Sequence, residues 1–374
     1  MTIPSGLREV VAGRTGLCSI DGARGRLFYR GYDAVVLGER CSFEEVVHLL
    51  WEGELPTRAQ LSSLRDRLAS ARTLPPAVLD VLRRGAKGAD PMDVLRTAVS
   101  AFSLDDPDPN DRSPAANRRK AERLLAGTPC AIAAFERLRS GRAPVEPDHA
   151  LGHAASFLHL LPGHRPDALH ERVLDACLVL HAEHSFNAST FAARVTASTL
   201  SDLHSAAVTG VGTLKGPLHG GANREVMGML ESIGEPGRVE AWLREAVASG
   251  RRIPGFGHAV YKVDDPRAAL LRRLSKELAE AAGEPRWHAI SVALEPLVKR
   301  WKPLPVNVDF YSASVYRYLG VPTDLFPTMF AAARLAGWAA HFFEQVADNR
   351  LIRPEAEYDG PPERPFVPIE ERRG

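Results

Sequence analysis

Apolar residues recur at helical spacing along most of the chain, in runs separated by proline, glycine and polar residues. One run begins after Ser42, which can form a capping box with Glu45, and it ends at Gly53 and Pro56. Within it the apolar side chains follow one another at intervals of three and four residues, as on one face of a helix. The same pattern returns repeatedly, up to an apolar run at residues 326–349. It predicts an all-α protein.

Three segments depart from this helical pattern. Residues 14–32, RTGLCSIDGARGRLFYRGY, combine glycine, arginine and aromatic residues with short apolar pieces, which predicts turns and two short strands. Residues 105–114, DDPDPNDRSP, contain charge and proline without an apolar anchor, so they predict a surface loop and not a domain boundary. From Pro354 the chain is rich in proline and glutamate, and we expect this tail to extend along a surface.

Length and composition exclude several classes of protein. A chain of 374 residues with 45% hydrophobic residues can bury a sizeable core in one or two domains. Its 47 Lys and Arg against 46 Asp and Glu give no basic excess, so we expect no nucleic-acid partner. No apolar run is long enough for a signal peptide or a membrane span, which predicts a cytoplasmic protein without a membrane partner. The cysteines are far apart and lack metal-ligand spacing, so we expect reduced thiols at Cys18, Cys41, Cys130 and Cys177.

Three ionisable side chains lie in locally apolar or glycine-rich segments: His219 in GPLHGGAN, His258 in PGFGHAVYK and Asp309 in VNVDFYSA. His219 comes just before a predicted helix, whose positive end would keep the imidazole neutral and available as a hydrogen-bond donor. The alternative is a satisfied histidine in a glycine-rich turn. Desolvation would raise the pKa of Asp309 and make it a better base, unless Asp309 only caps the following helix.

Cationic and histidine side chains suggest an anion site. Arg334 interrupts the apolar run FAAARLAGW, where an unpaired charge is costly, so it needs an anion from either the protein or a substrate. His181 and His184 are three residues apart on a predicted helix and could ligate one metal ion. A third ligand at suitable spacing is missing, so we expect this pair to form hydrogen bonds or to contact an anion, and we predict no metal.

Taken together, these segments resemble the citrate synthase family, which includes the 2-methylcitrate synthases. The resemblance rests on GPLHGGAN, PGFGHAVYKVDDPR and VNVDFYSA in this order, with LHAEHSFNAST before them and FAAARLAGW after them. It extends upstream through IDGARGRLFYRGY, SFEEVVHLLWEGELPT and DPMDVLRTAVSA, and so covers about residues 15–358. One departure is Ser185-Phe186, where many relatives carry a glutamate first. It bears on packing near His184 and leaves the catalytic positions intact.

The resemblance implies a reaction and a role for each matching residue. In this interpretation Asp309 removes a proton from the acyl-CoA, His219 donates to the thioester carbonyl, and His258 polarises the ketone of oxaloacetate. The product thioester is then hydrolysed, and no cofactor is needed besides the substrates. Four matching positions would bind oxaloacetate: His184, Arg267, Phe330 and Arg334. Arg353 would reach the partner subunit's site. Three basic residues would contact CoA phosphates: Arg251, Arg252 and Lys262.

The resemblance also implies a two-domain helical homodimer with a short N-terminal β segment. Residues 1–217 and 326–374 would form the large domain with a dimer-contacting tail, and residues 218–325 the small domain that closes over oxaloacetate. The shared pattern begins almost at the first residue, so we expect a dimer without the NADH-binding regulation of longer hexameric relatives.

Other interpretations remain open at this stage. The acyl donor could be propionyl-CoA instead of acetyl-CoA, because a pocket distinguishes one methylene by only about 1–3 kcal/mol. From another class, the chain could be a non-catalytic helical dimer that binds CoA or dicarboxylates. A metal-dependent hydrolase built on His181 and His184 is a more distant alternative.

Overall fold

The computed structural model describes residue 6 and residues 10–372 of the chain. The N-terminal β segment is a small antiparallel sheet with the strand order β1-β2-β3. Its first pair runs in register from Cys18 opposite Tyr29 to Asp21 opposite Arg26. The prediction of short strands in this segment is therefore confirmed, with three strands instead of two: β1 (Cys18–Asp21), β2 (Arg26–Tyr29) and β3 (Tyr32–Asp33).

Helices make up nearly all the remaining regular structure of the described residues, as the hydrophobic pattern predicts. The capping box of Ser42 and Glu45 is present at the start of α2, and Gly53 ends that helix in a left-handed conformation. Ten helices precede the GPLHGGAN segment: α1 (Ala34–Arg40), α2 (Phe43–Glu52), α3 (Arg58–Ser70), α4 (Pro76–Gly85), α5 (Pro91–Ala101), α6 (Pro114–Arg139), α7 (His153–Leu160), α8 (Ala168–His181), α9 (Ala188–Ser198) and α10 (Leu203–Leu214).

The next five helices pack mainly on one another, with α13 against α15 and α11 against α15 as the closest pairs. These helices fall inside residues 218–325, the predicted small domain, whose boundaries stay a prediction. They are α11 (Ala222–Ile233), α12 (Val239–Ala248), α13 (Pro266–Ala282), α14 (Arg286–Trp301) and α15 (Val308–Tyr318). Short 3₁₀ turns add Pro236–Arg238, Thr323–Leu325 and Ile369–Glu371.

The core is organised around α16 (Phe326–Ala347), which is buried on nearly all its faces. It packs against α2, α6, α8, α9 and α10, so the first half of the chain surrounds it. A helix that is apolar on all its faces must be covered on all of them, whereas an amphipathic helix buries only one apolar stripe. The polar side chains described below lie on α16, at the end of α8, in the first turns of α9, α13 and α15, and in the segments that follow α8, α10 and α12.

The loop and the tail also follow the sequence-based predictions. Residues 105–114 form turns between α5 and α6, and the chain beyond Arg350 is exposed and mostly without regular structure up to residue 368. The four cysteines are free thiols, three of them buried. Within the described residues, no helix is both long enough and apolar enough to cross a membrane.

Candidate active site

His219 lies in the turn between α10 and α11 and contacts the first turn of α9. Its Nε2 accepts a hydrogen bond from the backbone N–H of Ser189 at 3.3 Å and lies 2.8 Å from the Ser189 hydroxyl. That N–H belongs to the first turn of α9, where a backbone donor has no partner within its own helix. Because a backbone N–H only donates, this contact favours the tautomer with the lone pair on Nε2 and the proton of the neutral ring on Nδ1.

Burial lowers the pKa of His219 to about 4, and the charge of Arg334 acts in the same direction. The neutral, donating imidazole expected from the sequence is therefore present at physiological pH. The sequence predicts this neutral state from the positive end of the helix that follows His219. The observed contact is instead with the start of α9, a helix that precedes it in the chain.

Asp309 is the second residue of α15, and its carboxyl group is almost fully buried. The alternative that Asp309 caps this helix is wrong, because Asn307 occupies the N-cap and accepts the Asp309 N–H at 3.1 Å. One oxygen of the Asp309 carboxyl group, Oδ1, is buried and has no hydrogen-bond partner among the described residues. Burial raises the pKa of Asp309 to about 7, against the opposing charges of Arg267 and Arg334. A carboxylate in this setting is a general base with a pKa near neutrality.

His258 lies in the glycine-rich segment between α12 and α13. Its Nδ1 accepts hydrogen bonds from the backbone N–H groups of Val260 and Tyr261, each at 3.0 Å. The proton of the neutral ring is therefore on Nε2, which leaves that nitrogen as a donor. Burial and the charge of Arg267 lower the pKa of His258 to about 4.

His184 and His181 do not form a metal pair on one helix. Helix α8 ends at His181, so His184 lies beyond it in an irregular segment. His181 Nδ1 lies 2.7 Å from the carbonyl of Cys177, as in a hydrogen bond within the helix. His184 lies against His258, with ring centroids 5.4 Å apart, and burial lowers its pKa well below the ordinary value. No cluster of potential metal ligands occurs in the part of the chain that the structure describes.

The two buried arginines of the site differ in their partners. Arg267 forms a two-pronged ion pair with Asp265, at 2.9 Å from Nε and 2.6 Å from one terminal nitrogen. Arg334 is 1% exposed, and among the described residues no carboxylate pairs with its guanidinium group. Its Nε donates to the His181 carbonyl at 2.7 Å, and its charge lies 4.8 Å from the centre of the Phe330 ring.

Among the described residues, no carboxylate lies within ion-pair distance of Arg334, although the charge of the more distant Glu183 acts on it. Burial lowers the pKa of Arg334 to about 10, so it remains charged at neutral pH. A buried cation without a counter-ion is costly, and a bound carboxylate would remove that cost. Of the two alternatives left by the sequence, a substrate anion is the one that this geometry favours.

Most of the side chains singled out from the sequence thus meet in one place. The Phe330 ring lies 4.8 Å from His181 and 6.5 Å from His219, and His184 contacts His258. The remaining four predicted positions lie outside this cluster. Each has an exposed side chain in the chain described here: Arg251, Arg252, Lys262 and Arg353.

Several residues of the site were missed in the sequence analysis. Ser189 fixes the His219 tautomer, Asp265 holds Arg267, and the Tyr261 hydroxyl lies 3.3 Å from His184 Nε2. Asp265 and Tyr261 lie inside the segment PGFGHAVYKVDDPR, so their position in this motif could have identified them as site residues from the sequence. Ser189 and His219 are 30 positions apart, and no local pattern joins them.

The departure at Ser185-Phe186, for which the sequence predicts an effect on packing, lies directly after His184. Ser185 adopts a left-handed conformation with φ of 52°, directly after His184. The Phe186 ring packs 5.7 Å from His341 and lies 4.7 Å from the Arg194 guanidinium. Phe186 therefore packs on two buried polar side chains, His341 and Arg194.

Comparison with known proteins agrees with this geometry. The family model described as "Citrate synthase, C-terminal domain" matches residues 6–355. The citrate synthase of Haloferax volcanii is 47% identical and the 2-methylcitrate synthase of Shewanella oneidensis 42% identical, each alignment covering 98% of both chains. A solved structure of the citrate synthase of Thermoplasma acidophilum, in a ternary complex with carboxymethyl coenzyme A and oxaloacetate, superposes with a TM-score of 0.91 at 32% identity over 98% of both chains.

The family model spans most of the chain, and the relatives match it over nearly its full length. The helical fold is shared with this solved structure. The chain belongs to the citrate synthase family.

Proposed function

We propose that this protein condenses acetyl-CoA with oxaloacetate and hydrolyses the product thioester to citrate and free CoA. The observation that carries the proposal is the buried Asp309 carboxyl group, which has a pKa of about 7 and an oxygen without a hydrogen bond from any residue that the structure describes. Two neutral histidines with defined donor nitrogens, His219 and His258, accompany it. A base and a donor held away from water are what proton abstraction next to a thioester requires.

In the first step Asp309 accepts a proton from the methyl carbon of acetyl-CoA. The electron pair of the broken C–H bond forms the enol double bond, while His219 Nδ1–H donates to the carbonyl oxygen of the thioester. A neutral imidazole suits this role, because it stabilises the developing negative charge on oxygen without requiring a protonated ring. The position of His219 against α9 favours this tautomer.

In the second step the enol carbon attacks the ketone carbon of oxaloacetate. His258 Nε2–H donates to the ketone oxygen as that oxygen gains the electron pair, and the product is a citryl-CoA thioester. Water then attacks the thioester carbonyl, and the CoA thiol leaves. Before and during condensation, Arg334, Arg267 and His184 hold the oxaloacetate carboxylates, and Phe330 packs beside them.

The pH profile of kcat/KM tests the base assignment. Asp309 works only when ionised, and its ionised fraction rises as the pH passes its raised pKa of about 7. We therefore expect kcat/KM to fall about tenfold per pH unit below neutrality, while His219 stays neutral down to a pH of about 4. Initial rates between pH 5 and pH 9 measure this limb. A kcat/KM that stays level down to pH 5, as for a carboxyl group with the ordinary pKa of 3.8, would contradict the role of Asp309.

The proposed assembly is a homodimer in which Arg353 serves the partner subunit's site. Its support is the exposed position of Arg353 on an extended tail, held near α9 by the hydrogen bond from Ile352 N–H to the Ser198 hydroxyl at 3.0 Å. The resemblance to the family supplies the role. The basic residues Arg251, Arg252 and Lys262 are the proposed contacts for CoA phosphates, and a cytoplasmic location and two-domain closure belong to the same proposal.

Mixed dimers test the shared site. Asp309→Asn and Arg353→Ala homodimers should each be almost inactive, because every site lacks one residue. A mixed dimer carries both defects in one site and neither in the other, so it should regain about half the parent activity. Two different affinity tags allow its isolation after co-expression. Mixed dimers as inactive as both homodimers would refute the sharing of Arg353, whereas an active Arg353→Ala homodimer would remove its role altogether.

A second candidate function within the family is 2-methylcitrate synthesis from propionyl-CoA. It is favoured by the relative from Shewanella oneidensis that bears this name, at nearly the same identity as the citrate synthases. The ratio of kcat/KM between acetyl-CoA and propionyl-CoA, with the product identified by mass spectrometry, decides between the two. A non-catalytic dimer that binds CoA or dicarboxylates is the alternative from another class, and oxaloacetate binding without turnover of either donor would favour it.

A further inference from the structure

The segment that carries His258 rests directly on the turn of the β1–β2 hairpin. The backbone N–H of Lys262 donates to the Gly22 carbonyl at 2.8 Å. A Cβ atom added to Gly22 would lie 2.4 Å from the Val260 carbonyl oxygen, a distance that no real Cβ contact adopts. The obstacle is backbone, so a side-chain rotation could not relieve it. Residue 22 must therefore be glycine for this segment to lie where it does.

Gly25, at the other end of the same turn, makes a second close approach. Its φ of +63° is in the left-handed region, and a Cβ there would lie 2.8 Å from a Val263 methyl carbon and 3.0 Å from the Asp264 carbonyl oxygen. The turn thus contacts the segment on both sides of Lys262. This contact joins the N-terminal sheet to the segment between His258 and Arg267.

Tyr261 stands between these contacts and touches both histidines proposed to hold oxaloacetate. Its backbone N–H donates to His258 Nδ1 at 3.0 Å, and its hydroxyl lies 3.3 Å from His184 Nε2. Its ring lies 4.5 Å from the His258 ring and 5.6 Å from the His184 ring, and its side chain is 1% exposed. One residue therefore restrains the orientation of two catalytic-site rings that come from distant parts of the chain.

We propose that Tyr261 is a positioning residue that orients His184 and His258 together, and that the glycine turn of the β1–β2 hairpin holds Tyr261 in place. The proposal rests on the function proposed above, because it assigns these histidines to oxaloacetate. The turn fixes the backbone on both sides of residue 261. Tyr261 in turn orients His258 through its backbone N–H and His184 through its hydroxyl. Neither Tyr261 nor the turn takes part in the chemistry.

The first test removes only the hydroxyl group. Tyr261→Phe keeps the ring and the backbone N–H, so His258 stays oriented while His184 loses its contact. We expect the KM for oxaloacetate to rise about three- to tenfold, as for the loss of one hydrogen bond, with a much smaller change in the KM for acetyl-CoA. The matched control is Tyr318→Phe, which removes a hydroxyl that accepts the His288 N–H at 3.2 Å, and it should leave both KM values unchanged.

The second test disturbs the contact between the β1–β2 turn and the segment that carries His258. Gly22→Ala introduces only the clash with the Val260 carbonyl oxygen, because the φ of Gly22 is one that alanine adopts. A resulting shift of the segment by about 1 Å should lower kcat/KM for oxaloacetate about a hundredfold. The matched control is Gly31→Ala in the next turn of the same sheet, where φ is +89° and nothing lies within 4 Å. That variant introduces backbone strain without a clash, so it should lower Tm and keep the parent kinetics.

The outcomes separate this inference from the proposed function. Parent protein without oxaloacetate-dependent turnover would contradict the function itself. Active parent protein, together with Tyr261→Phe and Gly22→Ala variants that keep the parent KM for oxaloacetate, would overturn the positioning role alone. Equal kinetic losses in Gly22→Ala and Gly31→Ala would also overturn it, because they would show a general loss of stability. Thermal unfolding of each variant accompanies the kinetics.

Discussion

Replacement of Asp309 by asparagine is expected to abolish turnover almost completely while the protein stays folded and binds oxaloacetate. The substitution keeps the size of the side chain and removes the only group in the site proposed to accept a proton from carbon. General base catalysis accelerates a reaction by about 10²- to 10⁴-fold, so kcat should fall by at least about a hundredfold. Oxaloacetate binding should persist, since Arg334, Arg267 and the two histidines that hold it are unchanged.

The control for this prediction is another aspartate, partly buried, whose pKa is also raised by desolvation. Asp175 accepts the Phe43 N–H at 2.9 Å, away from the catalytic cluster, and Asp175→Asn should keep kcat near that of the parent. Stopped-flow or steady-state rates at saturating substrates give kcat, and calorimetric titration gives the affinity for oxaloacetate. An Asp309→Asn enzyme with full activity would remove Asp309 as the base.

Replacement of Arg334 by methionine is expected to produce the largest loss of oxaloacetate binding. The guanidinium is buried, charged and without a protein carboxylate among the described residues, so a substrate carboxylate is its natural partner. Loss of one member of a buried, hydrogen-bonded charge pair costs about 2–5 kcal/mol, which corresponds to a fall in kcat/KM of about 30- to 5,000-fold. Methionine fills much of the volume, so the packing of α16 should survive.

Arg72 provides the matched control. It is also buried, but its guanidinium donates to the backbone carbonyls of Asp148 and Leu151 at 2.9 and 2.8 Å. Arg72→Met should therefore lower Tm and leave the KM for oxaloacetate unchanged, whereas Arg334→Met should raise that KM with a smaller loss of stability. Similar KM values for Arg334→Met and the parent would show that the Arg334 charge serves the fold and not the substrate.

Local sequence features were enough to predict the helices and several parts of the site. The apolar surroundings of Asp309 indicated a desolvated carboxyl group, and its Oδ1 is buried without a hydrogen-bond partner in the described part of the chain. The glycine-rich segments around His219 and His258 correctly indicated irregular backbone between helices. The choice between a base and a helix cap at Asp309 turned on Asn307, two positions earlier, which is itself a favoured capping residue.

Long-range contacts could not be predicted in this way. The tautomer of His219 depends on Ser189 in another helix, and the freedom of Arg334 to bind an anion depends on which carboxylates lie nearby in space. The predicted helix around His181 and His184 ended earlier than expected, which separated the pair. The role of Arg353 depends on a second subunit, so it stays a prediction that the mixed dimers test.

The most direct test of the account is the release of free CoA thiol by the purified protein. Acetyl-CoA and propionyl-CoA are supplied in parallel, each with and without oxaloacetate, and the thiol is followed with a colorimetric reagent. We predict release that requires oxaloacetate, is faster with acetyl-CoA and is absent with Asp309→Asn. No oxaloacetate-dependent release with either donor, from protein that is folded and binds oxaloacetate, would contradict the proposed condensation and favour a binding protein.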